Sequence, residues 1–196
     1  MNTELPATLA VVLDVIDILE DLDIRYHLGG SFASAIHGVP RQTMDADLVV
    51  DLDAARVASL VAGLKSEFYV DSKVASDAVS RRGSFNAIHL GSGFKVDFFV
   101  KGNGEFDDLE LERSELYQIV ADPPRSAYVK TAEDTVLRKL QWYVDGGGVS
   151  DRQWRDVLGV LLTSGDDLDR GYLQAWANRL GLGGVLSRVL SEVDGT

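Results

Sequence analysis

Cysteine is absent from the 196 residues, which excludes a disulfide framework, a Cys-ligated zinc and a thiol nucleophile. Histidine is scarce: His27, His37 and His89 share no ligand spacing and fall in separate segments, which argues against a zinc centre or a histidine base. No stretch approaches the roughly 18 consecutive apolar residues that a membrane span needs. The chain opens on Asn2, Thr3 and Glu4 rather than on a basic segment followed by an apolar one. A soluble, cytoplasmic protein is the expectation. Basic charge is also in short supply, with 19 Lys and Arg against 31 Asp and Glu and a net charge of −12. Such a chain has no global field that draws in nucleic acid, so a polyanionic partner would need a local basic patch. Arg81-Arg82 is the only adjacent basic pair in the first half, and exposed loop arginines commonly contribute little.

What is present reads as an α/β half followed by a helical half. Leu9, Val12, Leu13, Ile16 and Leu19 recur at helical spacing with Asp14, Asp17 and Asp21 on the other side, an amphipathic opening helix. Ile24 to Leu28 predicts a short strand running into Gly29-Gly30-Ser31 and then a short helix that ends at Gly38. Ala46 to Leu52 predicts a second strand and Ala54 to Phe68 a helix. Ser84 to Leu90 and Phe94 to Val100 predict two strands joined by Gly91-Ser92-Gly93. Gly102 to Glu112 is polar and acidic, Pro123-Pro124 breaks the chain again, and four helices follow from Thr131 onward, which puts a linking boundary near residues 101 to 130. The expected organisation is a catalytic domain over residues 1–101, then a linker and helical C-terminal domain over 102–196.

Chemistry concentrates in a few positions. Asp45 and Asp47 sit two apart at a strand entrance, so alternation points both carboxylates to one face. Alone, such a pair is more often a solvated strand end. Asp97 interrupts the otherwise apolar run Phe94 to Val100, where an unpaired buried charge would cost several kcal/mol. If the two strands are neighbours, the three acids form an all-oxygen site for Mg²⁺ or Mn²⁺, with room for two ions. Gly29-Gly30-Ser31, between a strand and a helix, supplies flexible backbone, free N–H groups and a hydroxyl, the parts of a phosphate cradle. Thr43 falls on the face of Asp45, and Arg41 either contacts phosphate or caps the preceding helix. Trp142, Tyr143 and Trp154 read as packing between helices.

The combination of Gly30-Ser31, thirteen intervening residues, Asp45-Ala46-Asp47-Leu48 and a later strand with Asp97 resembles the DNA-polymerase-β-like nucleotidyltransferase superfamily. The run Leu28 to Ala33, with His37-Gly38, Arg41, Thr43, Asp45 and Asp47, looks like the small bacterial enzymes of the AbiEii and MenT toxin type. So do Thr131-Ala132-Glu133-Asp134, Lys139-Leu140 and Asp151 to Val157. The resemblance implies an α+β fold, a small mixed sheet with flanking helices plus a C-terminal helical bundle. It implies that Gly29, Gly30 and Ser31 hold nucleotide phosphates and that Asp45, Asp47 and Asp97 bind metal. It also implicates Lys139 and Asp156, although spacing alone reads Lys139 as a solvated helix face, and it makes Thr43 a possible modified position. The implied activity is metal-dependent transfer of a nucleoside monophosphate from an NTP to an acceptor hydroxyl, with a tRNA 3′ end as acceptor and an antitoxin as partner. A small-molecule acceptor, AMP transfer to protein, or a non-catalytic nucleotide-binding scaffold are the alternatives.

Overall fold

Both acid-bearing segments bury every second side chain, as a strand with one covered face must. In the computed structural model, which describes residues 7–39, 43 and 45–195, these segments are Asp45–Val50 and Lys95–Val100. Ala46, Leu48 and Val50 of the first, and Val96, Phe98 and Val100 of the second, are almost wholly withdrawn from water. Each large apolar side chain buried in this way contributes about 1.5–3 kcal/mol. A slip of one residue would forfeit that and push the carboxylates into the core, so the register is firmly specified.

The strands, in chain order, are Tyr26–Leu28 (β1), Asp45–Val50 (β2), Phe68–Tyr69 (β3), Ser84–His89 (β4), Lys95–Val100 (β5), Glu115–Ala121 (β6) and Pro124–Val129 (β7). The helices are Ala7–Asp21 (α1), Gly30–His37 (α2), Val57–Leu64 (α3), Ser72–Arg81 (α4), Glu105–Arg113 (α5), Ala132–Asp145 (α6), Asp151–Ser164 (α7), Arg170–Arg179 (α8) and Gly183–Asp194 (α9). The chain divides into two units, one containing the segment up to Gly29 with Thr43–Val129, the other Gly30–Gln42 with Lys130–Thr196. The fold is α+β.

The first unit holds the sheet, in the order β3-β4-β5-β2-β1-β7-β6. It is mixed: β2 lies parallel to β5 and β1 to β7, and the remaining pairs are antiparallel. Stacked rings of Phe85 and Phe98, 4.8 Å between centroids, tie β4 to β5. The boundary region 101–130 is not a bare linker: the polar stretch Gly102 to Glu112 contains most of α5, and the β6–β7 hairpin follows it. β6 is an edge strand exposed along most of its length, so it carries no alternation to read, and Pro123-Pro124 marks the hairpin turn. β3 and α4 also escape the sequence reading, although Asp71 caps α4 by accepting hydrogen bonds from the amides of Lys73 and Val74 at 2.8 and 3.0 Å.

The second unit is helical. Thr131 and Ser150 cap α6 and α7 through their side chains. Helix α2 lies against α6 and α7, and its end at Gly38 has no room for a side chain. A methyl there would stand 2.8 Å from the Ser34 carbonyl oxygen and 2.9 Å from the Val160 amide nitrogen, both rigid backbone atoms. Gly38→Ala is therefore expected to cost about 1–3 kcal/mol, read as a lowered urea midpoint with an unchanged slope. An unchanged midpoint would mean that α2 and α7 do not approach this closely. No helix among the described residues is long and apolar enough to cross a membrane.

Candidate active site

In the first unit, Asp47 and Asp97 are direct cross-strand partners in the parallel β2–β5 pair, and Asp45 and Lys95 are the next such pair along the same face. Alternation thus collects three acids and one base on the half-buried side of the sheet. The Lys95 ammonium lies 2.6 Å from Asp97 Oδ2, with side-chain exposures of 41% and 18%. That hydrogen bond holds the amine above its ordinary value, against some opposition from burial, and the charges of Asp97, Asp45 and Asp47 add to it. The Thr43 hydroxyl is 2.9 Å from both the carbonyl oxygen and Oδ1 of Asp45, as expected if it shares that residue's face. The Gly29 amide donates to the Asp47 carbonyl oxygen at 2.9 Å, which pins the start of the glycine turn to the acid-bearing strand.

All the donors of these acids are carboxylate oxygens, the type a hard divalent cation takes, and one of them, Asp97, already holds the Lys95 ammonium. Among the described residues no three His, Cys, Asp or Glu side chains close into a ready cage. Asp97 is engaged by Lys95, and Asp45 accepts from the Thr43 hydroxyl. Carboxylates this near also repel one another unless a cation lies between them.

In the second unit, Gly30 opens α2 at φ 49°, a left-handed conformation that favours glycine. Ser31, buried in the first turn, accepts a hydrogen bond from Arg152 Nη2 at 2.8 Å. Lys139 does not lie on a solvated helix face. Its side chain is 4% exposed and its ammonium stands 2.7 Å from Asp156 Oδ2 and 3.2 Å from Gln153 Oε1. The two C-terminal positions implicated by resemblance are thus bonded to each other across α6 and α7. Lys95 and Arg152 were not singled out from sequence. For Lys95 the signal was there, since it precedes Asp97 by two in a strand; Arg152 faces Ser31 from 121 residues away, which no local pattern reveals.

The other positions lie elsewhere. Arg41 falls outside the described residues. His27 is in β1, His37 ends α2 with Nε2 2.6 Å from the Lys130 carbonyl oxygen, and His89 ends β4 beside the Ser92 hydroxyl. Tyr143 and Trp154 pack ring against ring with the Arg188 guanidinium 4.1 Å from the centre of the Trp154 ring, and Trp142 is partly exposed. Arg81 and Arg82 bond to backbone carbonyl oxygens of Asp77 and Lys101. A groove of about 900 Å³ in the first unit is lined by Arg25, Tyr26, Arg125 and Tyr128 among others. Tyr26 pairs with Val50 while Leu28 pairs with Leu48, so this groove is at the end of β1 and β2 remote from Asp45.

No protein-family model matches the sequence, and neither does any curated protein. Solved structures do. The antibiotic-resistance factor ANT(2″)-Ia in solution matches with a TM-score of 0.55 and 13% identity over 95% of this chain and 94% of that one. An antigenic nucleotidyltransferase-like protein from Paracoccidioides brasiliensis matches with a TM-score of 0.56 and 19% identity, covering 94% and 92%. The fold is a nucleotidyltransferase fold. A crystal structure of ANT(2″)-Ia with adenylyl-2″-tobramycin gives a TM-score of 0.52 at 12% identity, covering 89% of this chain and 99% of that one. At these identities the likeness is one of fold, and within the nucleotidyltransferase fold the chemistry must be argued from this chain's own residues.

Proposed function

We propose that this protein transfers a nucleoside monophosphate from an NTP to an acceptor hydroxyl: the acceptor oxygen bonds to the α-phosphorus, pyrophosphate leaves, and the hydroxyl proton is released. The observation that carries this reading is the pairing of Asp47 with Asp97 across β2 and β5, on one face with Asp45. Asp45 and Asp47 would hold Mg²⁺ or Mn²⁺, with Asp97 beside them. When bound, the metal supplies charge that offsets the phosphate oxygens and lowers the barrier to in-line displacement. Gly29, Gly30 and Ser31 offer amides and a hydroxyl to the phosphates, and Arg152 adds a fixed positive charge next to Ser31. Lys139, paired with Asp156, would serve the phosphates as a further point charge.

For the acceptor, the net charge of −12 favours a small hydroxylated molecule, neutral or cationic, over RNA, whose affinity rests on Lys and Arg at phosphates. The Lys139–Asp156 bond supports the AbiEii/MenT reading instead, in which a tRNA 3′ end is modified and an antitoxin restrains the enzyme. Incubation with each α-labelled NTP and Mg²⁺ or Mn²⁺, with a panel of aminoglycosides and other polyhydroxylated small molecules, total tRNA, or protein extract, decides between them. Label on a small molecule is the expected result. Label at the tRNA 3′ end would establish the toxin reading, and label on protein would mean AMP-type transfer to side chains. Nucleotide binding with no transfer to any acceptor would overturn the enzyme in favour of a scaffold.

A further inference from the structure

Resting on that reading, we infer that the acceptor is a small molecule with a hydroxylated ring, bound on β4, where Asn86 hydrogen-bonds it and Ile88 and Tyr69 carry the ring. The register of the sheet sets three side chains of one face in a row. Asn86 of β4 is the cross-strand partner of Asp97 of β5, which is in turn the partner of Asp47 of β2. Toward β1 the same row ends at the glycine turn, since the Gly29 amide bonds to the Asp47 carbonyl oxygen. The two ends of the row therefore differ in what they offer. One is the start of the turn proposed to hold the phosphates; the other is an exposed side-chain amide with two donors and an acceptor. In-line displacement needs the attacking oxygen and the leaving pyrophosphate on opposite sides of the α-phosphorus. With pyrophosphate toward Gly29, the acceptor comes from the side of β4. Partners on antiparallel strands are only about 5 Å apart, so a hydroxyl beside Asp97 brings the rest of the acceptor onto Asn86. The next row on this face is apolar at its outer end. Ile88 is the partner of Lys95 on one side and of Tyr69 of β3 on the other, and both Ile88 and Tyr69 are exposed. A few polar groups beside apolar and aromatic surface make a small-molecule site, and a ring with hydroxyls at its edge and C–H groups on its face matches both parts. Ser84, Asn86, Ile88 and Tyr69 carry no charge, so this strip has nothing to hold the phosphates on which RNA affinity rests.

Acceptor kinetics of the full chain test this. Kanamycin, methyl glucoside and myo-inositol are each offered with α-labelled NTP and Mg²⁺ or Mn²⁺, and the compound that takes the label is then titrated against wild type and variants. Asn86→Ala is expected to raise the KM for that compound about five- to tenfold, the scale of one lost hydrogen bond, without moving the KM for the NTP. Tyr69→Ala should raise the acceptor KM by a similar factor and Tyr69→Phe should not, because the ring and not its hydroxyl makes the contact. An unchanged acceptor KM in either alanine variant would overturn the inference while leaving the proposed activity intact. So would an equal rise in the KM for the NTP, which marks a general disturbance of the site. Label on none of the three compounds, with transfer to tRNA or protein, would overturn the small ring acceptor in the same way. No transfer to any acceptor would overturn the proposed function and this inference together. Asn86 and Tyr69 are exposed, so neither replacement is expected to unfold the chain, and circular dichroism of both variants checks this.

Discussion

Asp47→Ala is expected to lower nucleotidyl transfer about a thousandfold or more, the scale of the several kcal/mol that a bound metal contributes to the transition state. The same change should leave thermal stability in EDTA unchanged or slightly raised. Asp47 faces Asp97 directly across β2 and β5, and like charges placed opposite one another are destabilising. Removing one of them relieves that repulsion, while the principal bond of Lys95, to Asp97, stays in place. Adding Mg²⁺ or Mn²⁺ with an NTP should then raise the melting temperature of the wild type and not of the variant, since a ligand stabilises only the state that binds it. Calorimetric scans with and without metal, beside the labelling assay, make both measurements. An Asp47→Ala protein that transfers at the wild-type rate would remove this residue from the chemistry. One that melts well below the wild type in EDTA would make it a structural residue.

Asp156→Ala is expected to be the most damaging single replacement for stability. It removes the carboxylate from the Lys139 ammonium, whose side chain is 4% exposed and which keeps Gln153 Oε1 at 3.2 Å, and breaking a buried ion pair in this way costs about 3–5 kcal/mol. For a chain of this size that is a fall in melting temperature of roughly 6–20 °C. Lys139→Met with Asp156→Leu removes both charges and should recover most of the loss, because an apolar pair of similar volume is tolerated where a lone charge is not. Activity separates structure from function. If Lys139 serves the phosphates, the double variant stays inactive although it is stable. Recovered transfer would restrict the pair to holding α6 against α7.

The acids and the glycine turn were legible in the sequence because each depends on local rules. Period-two alternation places Asp45 with Asp47, a carboxylate amid Phe94 to Val100 signals a special position, and Gly30 adopts a backbone conformation that favours its residue type. The long helices were equally legible, since each buries one face at helical spacing. β6 was not, because an edge strand exposed on both sides carries no binary pattern. Nor was α4, a short helix whose buried face is only Ala75, Ala78 and Val79. Its one clear sign was the Asp71 cap.

By itself, then, the amino-acid order determined which residue types were available and which face of its own element each would occupy, since those follow from neighbours within a few positions. Only the tertiary structure decided which faces met. The parallel register of β2 on β5 is what sets Asp97 opposite Asp47 and Lys95 opposite Asp45. The packing of α6 and α7 turned Lys139 from a solvent-facing base into one half of a buried pair, and that of α2 and α7 brought Arg152 to Ser31. Strand order and helix packing are settled by the burial of the whole apolar surface, a property that no short stretch of chain contains.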